Sequence, residues 1–173
     1  MLPLNLDLCQ FPVLLIGSAD QVSKRRAQLE QFGAGQITLI NADQLPQDIA
    51  QLDWTQHRIL MVCNRELPQA AELATTGRQH GMLVWVEDQL DLCDFHLPAL
   101  VQRGDLTLAV STGGKSPGLA RAIRQKLEQL FPPEWKQRLE QIAELRDQMR
   151  RDGASPGEVN AATQKMLQDN QWL

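Results

Sequence analysis

The residues best suited to chemistry lie where an apolar run, Leu106–Val110, passes into Ser111-Thr112-Gly113-Gly114-Lys115-Ser116. We call residues 111–116 the glycine bend. Ser116 is a favoured helix N-cap and Pro117 suits the first helical position, so a helix is expected to begin directly after the bend. Backbone N–H groups and the helix dipole attract anions at such a point. The sequence therefore predicts an anion site, to which positive charge is added by Lys115, Arg121 and Arg124.

The same segment nearly matches the phosphate loop of nucleotide triphosphatases. Residues 109–116 follow G-x-x-x-x-G-K-[ST], except that Ala109 replaces the first glycine. Such an enzyme would need later parallel strands and an acidic residue that holds magnesium, whereas only helical patterns follow Pro117. A general anion-binding strand–turn–helix is therefore favoured over a nucleotide triphosphatase.

A second chemical group is the acidic pair Glu87-Asp88, which follows the apolar run Met82–Val86. Ligands of open α/β sheets bind outside the carboxyl ends of the strands, where a carboxylate can act as a general base. We take Asp88 as the candidate base and Glu87 as the second choice. An acidic residue after a strand is also common in a solvated turn or a helix cap, so that interpretation stays open.

Cys93, Asp94 and His96 could be drawn as a metal-binding cluster. If this segment is a strand, alternation places Cys93 and Phe95 on one face and Asp94 and His96 on the other. The set is then split between two faces, and no metal site is predicted.

The first half of the chain alternates strand and helix patterns, which predicts a parallel Rossmann-like sheet. Strands are expected at Phe11–Gly17, 36–40, 58–63 and 82–86, with helices over 21–32 and 68–80. A G-x-G-x-x-G fingerprint would place glycines at 17, 19 and 22, but only Gly17 is present. Asn41 stands where an acidic residue would close the second strand. Spacing alone therefore leaves open both a dinucleotide site and an empty loop.

From Phe95 onward, the alternation of strand and helix patterns gives way to a different pattern. Two apolar runs, 95–101 and 106–110, flank Arg103-Gly104-Asp105 and predict a hairpin. Amphipathic helices follow over 117–131, about 134–151, and from Ser155, and their apolar seams favour a partner subunit. The predicted fold class is α/β, with a Rossmann-like domain at 1–90, a hairpin and dimerisation segment at 91–115, and a helical region at 116–173.

Composition limits the classes of partner. A net charge of −4 and a pI near 5.4 argue against broad binding to nucleic acid or to anionic membranes. No apolar run is long enough to span a bilayer, and no signal-like segment opens the sequence. Three cysteines, odd in number and far apart, favour reduced thiols and a cytoplasmic location.

Several strings together resemble the siroheme synthase N-terminal family. They are Gly17 followed by Val22-Ser23-Lys24-Arg25-Arg26, the strand that ends at Asp88, Leu92-Cys93-Asp94-Phe95-x-x-Pro98-Ala99, and Ala109 through Pro117-x-Leu119-Ala120-Arg121. The resemblance covers nearly the whole chain, and it is most specific between Leu92 and Leu127.

This resemblance implies a homodimer that oxidises precorrin-2 to sirohydrochlorin with NAD⁺, as the family does; some members then insert ferrous iron. The family's carboxylate falls on Asp88, and its serine beside the double glycine falls on Thr112. The implied contacts to the anionic tetrapyrrole are Thr112, Gly113, Gly114, Lys115, Ser116, Arg103 and Arg121. Those to NAD are Gly17, Ser18, Ala19, Asp20, Gln21, Val22, Asn41, Cys63 and Asn64, and no metal ligand is implied.

Two further hypotheses stand beside the dehydrogenase. Because glycines are lost and Asp20 is added after the first strand, the chain could be a chelatase or tetrapyrrole-binding dimer without a nucleotide. It could also be a non-catalytic interaction module that keeps only the fold.

Overall fold

A computed structural model describes residues 2–64 and 66–173, and the chain divides into two compact units, Met1–Leu97 and Pro98–Leu173. The first unit holds a parallel sheet, and the second holds an antiparallel hairpin and three helices. The predicted α/β fold class is confirmed. Within the described residues, no helix is long and apolar enough to cross a membrane.

The first unit is a four-stranded parallel sheet in the order β2-β1-β3-β4. Its strands are β1 (Val13–Gly17), β2 (Ile37–Asn41), β3 (Ile59–Val62) and β4 (Leu83–Val86), and its helices are α1 (Ala19–Gln31) and α2 (Ala70–Gln79). β1 lies between β2 and β3, so the strand order reverses at β1. Such a reversal opens a crevice at the carboxyl ends of the strands.

Helices cover both faces of this sheet, which explains why its strands are continuous apolar runs. One face packs Leu14, Leu60 and Val84 against α2. The opposite face packs Leu15, Met61 and Trp85 against Val22 and Leu29 of α1. The resulting two-sided core fixes the carboxyl ends of β1, β3 and β4 side by side.

The beginning of α1 differs from the prediction. We expected a helix over 21–32, but α1 begins at Ala19. Ser18 is extended (φ −66°, ψ 157°), and its backbone N–H and hydroxyl both donate to Gln21 Oε1. Because Ser18 caps the helix, this single residue joins β1 to α1.

The second unit pairs β5 (Ala99–Arg103) with β6 (Leu106–Val110) and continues into three helices. These are α3 (Pro117–Leu130), α4 (Trp135–Arg151) and α5 (Pro156–Asp169). Trp135 is buried and contacts the rings of Phe131 and Trp172. The predicted apolar seams are only partly covered within this unit, since Leu119, Ile123 and Leu130 of α3 remain exposed.

The first hairpin strand was predicted at 95–101, but it begins at Ala99, and Cys93–His96 is not a strand. Asp94 explains the difference, because its N–H donates to Val84 O and its carboxylate accepts from Val84 N–H. These bonds tie the segment to β4 instead of the hairpin. The alternation that we used to split Cys93 from Asp94 and His96 was therefore wrong. Among the described residues, no group of three potential metal ligands is found.

Candidate functional site

An open cleft of about 540 Å³ lies at the carboxyl ends of β3 and β4, beside α1. Helix α1 contributes Gln21, Lys24, Arg25 and Gln28, and the segments after the strands contribute Cys63, Asn64, Glu66, Glu87 and Asp88. The cleft thus contains the predicted base together with two basic side chains. Apart from Gln21, its α1 wall was not assigned to a site from the sequence. The pattern that indicates this wall is the spacing of the polar residues 21, 24, 25 and 28, which places them on one face of the helix.

Asp88 is exposed at the cleft and has an unusual backbone conformation. Its φ is +56°, in the left-handed region that side chains other than glycine rarely adopt. Such a conformation costs on the order of 1 kcal/mol and persists where the surrounding structure enforces it. The chain thus leaves β4 through this left-handed residue, which lines the cleft.

The loop that carries Asp88 is fixed at both ends by contacts to the parallel sheet, to β3 at its beginning and to β4 at its end. Glu87 N–H donates to Val62 O before Asp88, and Cys93 Sγ contacts the backbone N and O of Val86, both at 3.2 Å, after it. Asp94 then returns the chain to Val84. These contacts fix the ends of the loop, so the position of Asp88 follows from the sheet.

Arg78 of α2 strengthens this closure. Its guanidinium donates to Asp94 Oδ1 and to Leu92 O, both at 2.7 Å. Sequence reasoning missed this positioning pair, because the two side chains are 16 residues apart and neither belongs to a local pattern. The Arg78–Asp94 pair anchors the loop that carries the candidate base.

Arg25 and Cys63 define the electrostatics of the cleft floor. The Arg25 guanidinium lies 4.4 Å from the ring centre of Trp85 and 3.7 Å from Glu87 Oε1. Burial raises the pKa of Cys63 to about 11, and the nearby Arg25 only partly opposes this rise. Cys63 is therefore a neutral thiol at physiological pH and lines the cleft without acting as a nucleophile.

The predicted dinucleotide residues gather where the strand order reverses. Gly17 is opposite Asn41 in the β1–β2 register, and Cys63 and Asn64 follow β3 next to it. Ser18, Ala19 and Asp20 are exposed at the first turn of α1, whose backbone N–H groups are suited to a pyrophosphate. The residues present fit a dinucleotide, although the exposed Asp20 opposes its negative charge. The side chains of Val22 and Cys63 are buried, so they contribute to the shape of this site and offer no exposed polar group to a dinucleotide.

Two of these side chains also have local roles. Asn41 Oδ1 accepts from Asp43 N–H, and Asn64 Oδ1 accepts from Glu66 N–H. Both bonds shape the turns that leave β2 and β3. No acidic side chain closes β2, so the ribose contact that is usual in this fold would fall to the Asn41 amide.

Gly17 allows α1 to approach β3 closely. A Cβ at this position would lie 3.1 Å from Cys63 Cβ and 3.3 Å from Val22 Cγ1. We expect Gly17→Ala to lower the free energy of unfolding by about 1 to 2 kcal/mol, because the core must shift to admit the methyl group. Urea denaturation measures this change. Gly35→Ala is the control, since a Cβ there meets nothing within 4 Å; equal stability of the two variants would contradict the explanation.

The glycine bend is closed largely by its own side chains. Thr112 Oγ1 accepts from Ser116 N–H and donates to Ser116 O, both at 3.1 Å. Ser111 Oγ accepts from Gly113 N–H, and Ser116 Oγ caps α3 by accepting from Leu119 N–H. Ser116 and Pro117 thus begin the helix as predicted, but several N–H groups that we expected to be available to an anion already have partners. Gly113 and Gly114 have φ values of +61° and +79°, which explains the glycine pair.

Thr112 holds this bend through its hydroxyl. Thr112→Val keeps the shape but loses both bonds to Ser116, so we expect a loss of about 1 to 2 kcal/mol in the free energy of unfolding. Thr112→Ser should retain most of the stability. The comparison is made by urea denaturation, and a valine variant as stable as the serine variant would show that the hydroxyl is unimportant.

The basic residues assigned to the bend have different surroundings. Lys115 and Arg121 are exposed near the start of α3. Arg124 pairs with Glu128 on the same helix. Arg103, which the resemblance implies as a substrate contact, lies at the end of the hairpin away from the bend, and its Nε donates to Phe131 O at 2.7 Å. Arg103 therefore fixes the end of α3.

The fold and the cleft define a Rossmann-like α/β protein that carries a separate hairpin-and-helix unit. A family model described as "Sirohaem biosynthesis protein central" matches residues 103–130. The siroheme synthase of Methylococcus capsulatus is 31% identical over 86% of this chain and 34% of its own length. That of Zymomonas mobilis is 33% identical over 83% of this chain and 33% of its own length.

These matches confirm the predicted resemblance: the chain is similar to siroheme synthases. It spans about a third of the length of the curated relatives it matches. A solved structure entitled "SirC, precorrin-2 dehydrogenase" is similar with a TM-score of 0.70 and 20% identity, over 100% of this chain and 92% of that one. This likeness supports the fold.

Proposed function

We propose that the chain is a precorrin-2 dehydrogenase, which oxidises precorrin-2 to sirohydrochlorin with NAD⁺ in siroheme biosynthesis. The observation that carries the proposal is the position of Asp88. A carboxylate in a left-handed conformation lies in a polar cleft at the carboxyl edge of a parallel sheet. The relatives named siroheme synthase and the fold of a precorrin-2 dehydrogenase support this choice of reaction.

The reaction removes two hydrogens from the macrocycle, one as a hydride and one as a proton. NAD⁺ supplies the hydride acceptor when it is bound. The Asp88 carboxylate takes the proton, and its exposure allows that proton to pass to water. Gly17 and Ser18, with the first N–H groups of α1, would hold the pyrophosphate, and Asn41 would contact the ribose.

The substrate is a polycarboxylate, so its recognition needs donors and positive charge. In the proposal, Lys115, Arg121 and the glycine bend at residues 111–116 bind substrate carboxylates. The active form is a homodimer, because the exposed α3 side chains Leu119, Ile123 and Leu130 provide an apolar surface for a second copy.

A second candidate is a tetrapyrrole-binding or chelatase dimer that no longer binds a nucleotide. The specific observation in its favour is Asp20, which places an exposed negative charge in the first turn of α1. Ferrous iron would then be the second substrate, and Asp88 would accept the pyrrole N–H protons that chelation releases.

Two calorimetric titrations of the purified chain separate these functions. A dehydrogenase binds both NAD⁺ and sirohydrochlorin, whereas the second candidate binds sirohydrochlorin alone. If NAD⁺ does not bind, the dehydrogenase proposal is wrong. If neither ligand binds, the chain is an interaction module that retains the fold.

A further inference from the structure

Arg25 is a cation whose surroundings leave most of its hydrogen-bonding capacity unused. Its side chain is only 17% exposed, and the guanidinium stacks on Trp85 on the floor of the cleft. Its guanidinium donates to Gln28 Oε1 at 2.6 Å and also interacts with the Cys63 thiol. A guanidinium carries five N–H donors in a fixed planar fork. The stacked ring therefore holds this fork in place while donors remain for a ligand.

Glu87 places a negative charge close to Arg25, but the pair is loose. The 3.7 Å separation of Arg25 Nη2 and Glu87 Oε1 is longer than a charge-assisted hydrogen bond of about 2.8 Å. The Glu87 side chain is 35% exposed, so it can move into water at little cost. A ligand carboxylate in bidentate contact would bind the fork better than Glu87 does.

The place of Arg25 on α1 favours a carboxylate over a dinucleotide phosphate. Arg25 lies six residues beyond Ala19, about 9 Å along the helix axis from the N-terminus that would hold a pyrophosphate. The same cleft contains Asp88, the proposed base. A group bound to Arg25 would thus belong to the molecule that Asp88 deprotonates.

We propose that Arg25 binds a peripheral carboxylate of the tetrapyrrole and that Glu87 is the resident anion which this carboxylate displaces. The inference rests on the proposed function, since it takes the substrate from there. Arg25 fixes one edge of the macrocycle in the cleft, and Glu87 weakens the binding of ligands that lack a carboxylate at that position.

Equilibrium titration with sirohydrochlorin, followed by absorbance, tests the two roles in opposite directions. Arg25→Gln should weaken binding by about 10- to 100-fold, because charge-assisted hydrogen bonds are lost. Glu87→Gln should tighten it roughly 3- to 10-fold, and this gain should fall below about twofold in the Arg25→Gln background. NAD⁺ affinity should change less than about twofold in every variant.

Matched controls lie on the same helix. Arg26→Gln and Glu30→Gln each remove one charge from an exposed pair outside the cleft, and neither should alter binding by more than about twofold. Arg25→Lys keeps the charge but loses the planar guanidinium, so its affinity for sirohydrochlorin should lie between those of wild type and Arg25→Gln. Circular dichroism confirms that each variant is folded.

The outcomes separate this inference from the proposed function. If wild type binds sirohydrochlorin but Arg25→Gln and Arg26→Gln bind it equally well, the inference is wrong and the function stands. If Arg25→Gln weakens NAD⁺ binding instead, Arg25 is a phosphate ligand and the inference is wrong. If wild type does not bind sirohydrochlorin at all, both proposals are wrong.

Discussion

Asp88→Asn is expected to lower the rate of precorrin-2 oxidation by about 100- to 10,000-fold, because an amide cannot accept the proton. Asparagine has nearly the same shape as aspartate and tolerates positive φ better than most residues, so the conformation at φ +56° should survive. The initial rate of NADH formation at saturating precorrin-2 and NAD⁺ measures the effect.

Asp91→Asn is the control for this substitution. Asp91 is an exposed carboxylate three residues further along the same loop, outside the cleft. Its variant should retain the wild-type rate within about twofold. Comparable losses in the two variants would mean that charge in the loop matters and that Asp88 is not the base. If the Asp88→Asn variant kept the wild-type rate, Asp88 would have no role in the reaction.

The second large effect is expected from Asp94→Ala, which should lower the free energy of unfolding by about 2 to 3 kcal/mol. The substitution leaves the N–H of Val84, a fully buried residue, without its acceptor, and it also breaks the pair with Arg78. The Arg78 guanidinium is partly exposed, so water replaces the contact that it loses. Most of the loss in the free energy of unfolding therefore comes from the unpaired N–H of Val84 in β4. Urea denaturation followed by circular dichroism gives the value.

Asp94→Asn separates the two contributions to that loss. The amide oxygen can still accept from Val84 N–H, whereas the ion pair with Arg78 is lost, so less than half of the destabilisation should remain. The loop that carries Asp88 would also loosen, and turnover should fall more in Asp94→Ala than in Asp94→Asn. If Asp94→Ala is as stable as wild type, the loop is held by other contacts.

The parallel sheet could be predicted because its signals are local. The apolar runs that end at Gly17 and at Val86, with helical spacing between them, are strong enough to identify the fold and to place Asp88 at the carboxyl edge. Ser116 and Pro117 likewise marked the start of α3. These features depend on neighbours within a few residues, which a sequence displays directly.

Other parts of the site depend on contacts between distant residues. Asp94 was treated as part of a strand with Cys93 and His96, but its bonds to Val84 and Arg78 tie it to the edge of the parallel sheet. The resemblance implied a substrate contact for Arg103 as for the glycine bend, and only the register of the hairpin shows that the two lie at opposite ends of it. The Arg25–Trp85 stack joins a helix to a strand 60 residues later, and no periodic pattern indicates such a pair.

The most direct test of the central claim is the stoichiometry of turnover by the purified chain. Precorrin-2 and NAD⁺ are mixed with the chain under anaerobic conditions, and absorbance follows NADH and sirohydrochlorin together. We expect one NADH for each sirohydrochlorin, at a rate proportional to protein concentration and lost in Asp88→Asn. Sirohydrochlorin formed at the same rate without NAD⁺, or no product under conditions in which both ligands bind, would contradict the claim.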